Sequence, residues 1–549
     1  MQSETSGSQA PSPITEAQAR SELQEYLDVS HQQHGLFPRA ALVGFGAGMV
    51  AVLFRGLLAG AESLRNMLVV WAHGAPIWGW LFPMLFSAAG ATVAIALVRR
   101  YAPETSGSGI PHLKAVLHRL SDLAWFRVLV CKLVGGVLAI GSGLALGREG
   151  PTVQMGGAIG DGIARRLHVS SRDRLTLTAA GAGAGLAAAF NAPLSGLVFV
   201  LEEMQRDFRP AVFGAAFVAA AAADVVTRLA SGQIPVFSVP DYPVPPLAAL
   251  PAFAVLGCVT GVLGVLFNRS LLGTLNWAAR FRGPLVLGLG AAVGAASGLI
   301  AWFSPIAVGG GHALAETILA GHIAFGVMPI WFFLRFGLTI ASYGTGAPGG
   351  IFAPLLVLGA VVGLAIGQIT HFLSPAIVPQ PAVFAVVGMA AYFTAIVRAP
   401  LTGVVLILEM TGNYEQMLPL LASCFCAYAV AEYMKDPPIY EALLERDLLR
   451  RGGASASNQH EPFVVDFEVE PGAPFMGSEV RELGLPSGCI LVRCYLDGQE
   501  WVPTAETRLD PHTRITAVIT PEANNALTVL RQGCAGTYRT SNKGHLPEA

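Results

Sequence analysis

Three short stretches carry the residue types that could do chemistry: GSGIP (Gly107–Pro111), GREGP (Gly147–Pro151) and GGIFAP (Gly349–Pro354). Each places glycine and proline where an apolar helix would begin. Glycine lets the backbone turn and approach a ligand closely, and proline fits the first helical turn. The free N–H groups and the dipole of such a start favour an anion. Several starts converging at mid-membrane would bind an anion without full positive charges, and so could also release it. Any one motif alone reads first as ordinary helix punctuation; three together in one duplicated apolar chain reverse that preference. Glu149 sits inside GREGP. An ionised carboxylate is costly to bury in apolar surroundings, so Glu149 is a candidate proton carrier that would also compete with an anion for its place. The alternative is a structural ion pair with Arg148, to which neighbouring residues on a helix are poorly suited. A Gly-Ser-Gly turn can also hold a nucleophile, which would make Ser108 with His112 or His118 a hydrolase pair, although no third orienting group is evident.

The elements that must position these motifs come in two copies. Ala192–Glu202 reads APLSGLVFVLE and Ala399–Glu409 reads APLTGVVLILE, with seven of eleven positions identical at an offset of 207 residues. Upstream, GREGPTVQMGGAIG (Gly147–Gly160) parallels GGIFAPLLVLGAVVG (Gly349–Gly363). Paired halves with ion sites at broken helices are a common plan of secondary transporters. Composition agrees: 53% of residues are hydrophobic and 13% charged, with a mean hydropathy of +0.55, outside the usual soluble range. Apolar sequence runs almost unbroken from Leu42 to Met434. Ala40–Leu58 and Pro76–Leu97 are long enough to span a bilayer, whereas Ile351–Ile366 and Leu401–Met410 read as short, broken or re-entrant helices packed inside protein. GAGAG (Gly181–Gly185) is expected at a close helix contact.

A net charge of −2 with no basic stripe gives no footing for nucleic acid. The nearest cysteines, Cys424 and Cys426, lie in an apolar run and read as small buried residues rather than metal ligands; no metal or cofactor is expected. The reading gives a polar segment over 1–36, without signal-peptide character and with a peripheral amphipathic helix around Thr15–Leu27. A membrane domain follows over 37–450, in halves of about 37–232 and 247–450, then a linker over 451–461. Alternating segments PFVVDFEV, CILVRCYL, EWVPT and RITAVIT predict a small soluble α+β domain over 462–535, before a polar tail at 536–549.

In this order and spacing, GSGIP, GREGP and GGIFAP resemble the signature of the CLC family of chloride channels and chloride/proton antiporters, over about Phe37–Leu449. The resemblance implies an all-α polytopic membrane protein, an inverted repeat of broken and tilted helices, and a homodimer with an ion pathway in each subunit. It implies that Ser108 offers its hydroxyl to a central anion and that N–H groups of Ile351 and Phe352, beside Gly350, line the site. Glu149 would be the gating glutamate. Tyr440, in DPPIYEALLERDL, matches the family's tyrosine hydroxyl; read alone it would be an interfacial anchor. Glu203, in LEEMQRDF, matches the inner proton-transfer carboxylate of antiporter members. Glu202 and its repeat equivalent Glu409 would cap helices or pair with basic residues. Ser108 and Tyr440 together imply chloride and similar anions. The tail resembles the TrkA-C (RCK C-terminal) domain of potassium transport regulators, implying dimerisation or binding of a small regulatory molecule. There, His512-Thr513 replaces the usual Gly-Asp.

The expectation is therefore a transporter, not an enzyme, exchanging chloride for protons across a prokaryotic inner membrane with the C-terminal domain in the cytoplasm. A passive channel on the same fold is the alternative. A potassium transport subunit would need a TVGYG-like filter, and the chain has none.

Overall fold

The computed structural model describes residues 16–451 and 463–535, except 76, 207, 234–235, 238, 240–241, 243, 322, 497–498, 521–522 and 524–525. Nearly all of the expected linker and the polar tail lie outside these residues. The chain divides into a unit ending at Arg446 and a second beginning at Asp447.

In the first unit the helices are α1 (Glu16–Ala72), α2 (Leu81–Tyr101), α3 (Ile110–Leu117), α4 (Trp125–Gly141), α5 (Glu149–Arg166), α6 (Ser171–Phe190), α7 (Pro193–Phe199) and α8 (Pro210–Ser231). They continue as α9 (Leu250–Ala278), α10 (Pro284–Phe303), α11 (His312–Leu319), α12 (Met328–Gly344), α13 (Phe352–Leu373), α14 (Ala382–Val397), α15 (Pro400–Thr411) and α16 (Met417–Tyr433), and α17 (Ile439–Arg451) begins in this unit and ends in the second. Among the described residues, seven helices are long and apolar enough to cross a membrane. Others, such as the eight-residue α3 and α11, are far too short to do so.

The expected span at Ala40–Leu58 lies inside the apolar stretch Gly35–Ala72. Three details differ from the sequence reading. The helix around Thr15–Leu27, whose first residue lies outside the described residues, is not separate but continues into that span as α1, Glu16–Ala72, through Pro38. The second span starts at Leu81, because residues 77–80 form a turn. α13 has 22 residues and is long enough to span. Its glycine at 367 is a packing contact against the Pro381 carbonyl, where a Cβ would come within 2.3 Å, and not a break.

The duplication is visible in the hydrogen bonds. At the end of the α7 segment, a π turn over Val200–Met204 carries Glu202. Its carboxylate accepts the α15 N–H groups of Leu401 at 3.0 Å and Thr402 at 2.7 Å, and the Thr402 hydroxyl at 2.7 Å. Glu409, on α15, accepts the α7 N–H groups of Leu194 at 3.0 Å and Ser195 at 2.7 Å, and the Ser195 hydroxyl at 2.6 Å. Such reciprocal exchange is what a two-fold relation between halves produces, and each carboxylate satisfies helix-start donors that would otherwise be orphaned in apolar surroundings. Buried cations repeat too. Lys132 of α4 donates to the carbonyls of Thr105 and Gly107 at 2.9 and 2.6 Å. Arg335 of α12 donates to those of Ala307, Gly309 and Gly310 at 2.9, 3.0 and 3.2 Å. Both therefore brace the glycine turn that leads into a short helix.

The second unit holds β1 (Phe463–Glu468), β2 (Cys489–Leu496), β3 (Gln499–Trp501), β4 (Arg514–Ile519) and α18 (Ala526–Cys534). The sheet is antiparallel in the order β1-β4-β2-β3, and its strands fall on the four alternating segments. Val469, Leu491, Cys494, Ile515, Ala517 and Leu530 belong to its core. The turn before β4 forms without glycine: His512 itself takes a left-handed φ of 67°.

Candidate functional site

The site begins with two tight glycine turns. Gly107 and Gly109 are left-handed, with φ of 63° and 83°; glycine adopts this without steric cost. The turn holds Ser108 fully buried at the start of α3. Ser108 Oγ accepts the Ile110 N–H at 3.3 Å, leaving its own hydrogen to be aimed elsewhere. The Ser108 N–H donates to Tyr343 Oη at 3.4 Å.

The three motifs meet directly. Gly107 N–H donates to the Ala347 carbonyl at 3.2 Å, and Gly349 N–H returns to the Gly107 carbonyl at 3.0 Å. Gly147 and Gly350 exchange both backbone bonds, at 2.6 and 2.8 Å. Gly150 lies so close to GSGIP that a Cβ there would stand 2.9 Å from Ser108 Cβ. This stitching satisfies the irregular backbone internally, as apolar surroundings demand. It also spends the Gly350 N–H on Gly147, so Gly350 contributes close approach and not a free donor.

At the start of α13 the donors remain. Among the described residues the N–H groups of Ile351 and Phe352 have no protein partner, and that of Ala353 donates to Glu149 Oε2 at 3.3 Å. Glu149 is buried, and its carboxyl group thus occupies the α13 start beside these N–H groups. Arg148 Nε is 3.9 Å from Glu149 Oε1, too far for a hydrogen bond. The Phe352 ring packs against Phe190 and Phe393, with centroids 5.4 and 4.4 Å away. Tyr440, near the start of α17, is fully buried, and its hydroxyl lacks a hydrogen-bond partner among the described residues. Buried hydroxyls are rarely left so, which makes Tyr440 a donor without a protein acceptor.

Glu203 follows Glu202 in the π turn and is buried. Its Oε1 accepts Lys114 Nζ at 2.7 Å. Lys114 lies on α3, the helix that follows the Ser108 turn, so one short helix links the hydroxyl to the Glu203 carboxylate. Lys114 is also 3.9 Å from Glu441 Oε1, next in sequence to Tyr440. The hydrolase alternative gains nothing: His112 Nδ1 faces Gln154 Nε2 at 3.2 Å.

Sequence reasoning missed Lys114, Lys132, Arg335 and Tyr343. The signal for Lys132 and Arg335 was available, as lone cations within apolar runs of the two halves. Tyr343 gave none, because its neighbour Ser108 is distant in sequence.

The family model described as voltage gated chloride channel matches residues 90–432. The chain is 41% identical over 413 residues to the H(+)/Cl(-) exchange transporter ClcA of Vibrio cholerae serotype O1, covering 74% of this chain and 88% of that one. The crystal structure of a slow cyanobacterial Cl-/H+ antiporter matches with a TM-score of 0.74 at 37% identity, over 76% of this chain and 99% of the other. That of a eukaryotic CLC transporter shares the fold, with a TM-score of 0.65 at 24% identity over 82% and 78%. With the motifs stitched together as above and relatives matched along most of their length, this chain belongs to the CLC (voltage gated chloride channel) family.

Proposed function

We propose that this protein is a secondary transporter exchanging chloride and similar anions for protons across a membrane. The observation that carries the reading is the Glu149 carboxylate on the Ala353 N–H at the start of α13. Ionised, Glu149 takes the place of an anion and shuts the outer path. Protonated, it no longer competes for that helix start, swings away, admits an anion and delivers its proton outward. Ser108 and Tyr440 donate hydroxyls to the central anion, the N–H groups of Ile351 and Phe352 line the site with Gly350 beside them, and Glu203 exchanges protons with the inner side. The names of the exchange-transporter relatives support this reading. The passive channel has one observation in its favour, the ion pair of Glu203 with Lys114, which would also suit a purely structural carboxylate.

The protein acts as a homodimer in a prokaryotic inner membrane. Its second unit is a cytoplasmic TrkA-C-like domain that dimerises or binds a small regulator; the four-strand pattern and the turn completed by His512 support that assignment. The test is flux from proteoliposomes. Glu149→Ala is expected to keep chloride efflux and lose proton movement, and Glu203→Gln to lose proton movement. Unchanged coupling in Glu149→Ala would overturn the assignment.

A further inference from the structure

Burying an ion pair and breaking one are different problems. Lys114 and Glu203 are joined at 2.7 Å with side chains only 5% and 2% exposed. If Glu203 is the inner proton site, each transport cycle neutralises it. The ammonium of Lys114 would then be left in apolar surroundings with no counter-charge, the state that makes loss of one buried partner so costly. A transporter that visits that state every cycle needs a second carboxylate within reach of the same ammonium.

Glu441 fills that requirement. Its Oε1 is 3.9 Å from Lys114 Nζ, and its side chain is 38% exposed where that of Glu203 is 2%, so it meets water where Glu203 does not. Arg206, more exposed still, is hydrogen-bonded to Glu441 and holds it at the rim. Among the described residues, the exposed His118 at the end of α3 also faces this cluster, interacting with Lys114, Arg206 and Glu441, and Tyr440 interacts with Glu203. Glu441 also follows Tyr440 in the first turn of α17. One helix turn therefore presents a hydroxyl without an acceptor among the described residues from one position and a water-facing carboxylate from the next.

We infer that Glu441 and Lys114 form the inner end of the proton path, with Glu441 taking protons from water and Lys114 relaying them to Glu203. The inference rests on the reading of Glu203 as a proton site. In the relay, water protonates the Glu441 carboxylate. Lys114 gives one of its three ammonium protons to Glu203 and takes the proton from Glu441. One proton has entered, Glu203 is neutral, and Lys114, an ammonium again, faces ionised Glu441. The reverse order empties the path, and the buried cation has a counter-ion at both ends of the cycle.

The experiment measures chloride and proton flux in the same proteoliposomes for wild type, Glu203→Gln, Glu441→Gln, Glu441→Asp and Lys114→Arg. Chloride efflux reports that each variant is folded. Glu441→Gln is expected to lower proton flux roughly a hundredfold, the contribution typical of a positioned proton-transfer group, with Glu441→Asp restoring part of it. Lys114→Arg keeps the charge and the reach, but a guanidinium does not give up its proton, so proton flux should fall to the Glu441→Gln level. Coupled exchange surviving in Lys114→Arg would overturn the relay, leaving Lys114 an ion-pair partner only. Wild-type ratios in Glu441→Gln would remove Glu441 from the path. If wild type moves no protons, the exchange reading itself fails; if wild type couples and Glu203→Gln does not, only this inference is at stake.

Discussion

Replacing Tyr440 with phenylalanine deletes one polar atom from a ring that is fully buried, and that atom has no partner among the described residues. If the hydroxyl exists to serve an anion, two free energies should move in opposite directions. Without chloride, the substitution removes an unsatisfied buried polar group, a liability of about 1–3 kcal/mol. The Tyr440→Phe fold should then be as stable as wild type or more so. With chloride bound, the variant lacks a hydrogen bond to a charge, worth about 1.5–3 kcal/mol. At 1.4 kcal/mol per factor of ten, Kd should weaken about 10- to 150-fold. The assay is chloride titration calorimetry on detergent-solubilised protein, paired with thermal unfolding in a chloride-free buffer of a large organic anion. Unchanged chloride affinity together with lower chloride-free stability would make the hydroxyl structural and refute the reasoning.

Three other substitutions probe the fold. Glu202→Gln and Glu409→Gln each weaken a carboxylate cap made to two N–H groups and a hydroxyl of the opposite half. Each should cost about 1–3 kcal/mol and by similar amounts, read from thermal inactivation of chloride efflux; a large effect from one alone would argue against a shared role. His512→Gly should stabilise the second unit by about 1 kcal/mol, because it relieves a left-handed residue and gives up only an exposed side-chain contact with Glu468. Amide exchange across β1 and β4 would measure it, and faster exchange would count against strain at this turn.

Much of this architecture could be read in advance because membranes constrain sequence heavily. Backbone groups in hydrocarbon must be satisfied internally, so apolar runs and their glycine and proline breaks mark the elements, and the duplicated APLSG and APLTG segments mark the halves. The four strands of the second unit were legible for the same local reason, through alternation and turn residues. Span ends were read less well. The run at Ile351 was cut at Gly367, where glycine serves packing against Pro381 and not chain reversal. Within the site, Glu149 stood out by chemistry alone, whereas Ser108, Tyr440 and Glu203 were singled out through family resemblance. Lys114 went unremarked because its meaning lies in a partner 89 residues away. Gly350 was legible as a member of the site, but the bridge that ties its N–H to Gly147 pairs residues 203 positions apart and leaves no local signal.

The central claim is that anion and proton movement are coupled through one path. The most direct measurement uses proteoliposomes loaded with high chloride, placed in low chloride at equal pH, with charge movement enabled by an ionophore and lumenal pH recorded. The account predicts that chloride leaving down its gradient draws protons inward, acidifying the lumen against the growing proton gradient. Chloride efflux with no change in lumenal pH would contradict it and make this protein a passive anion channel.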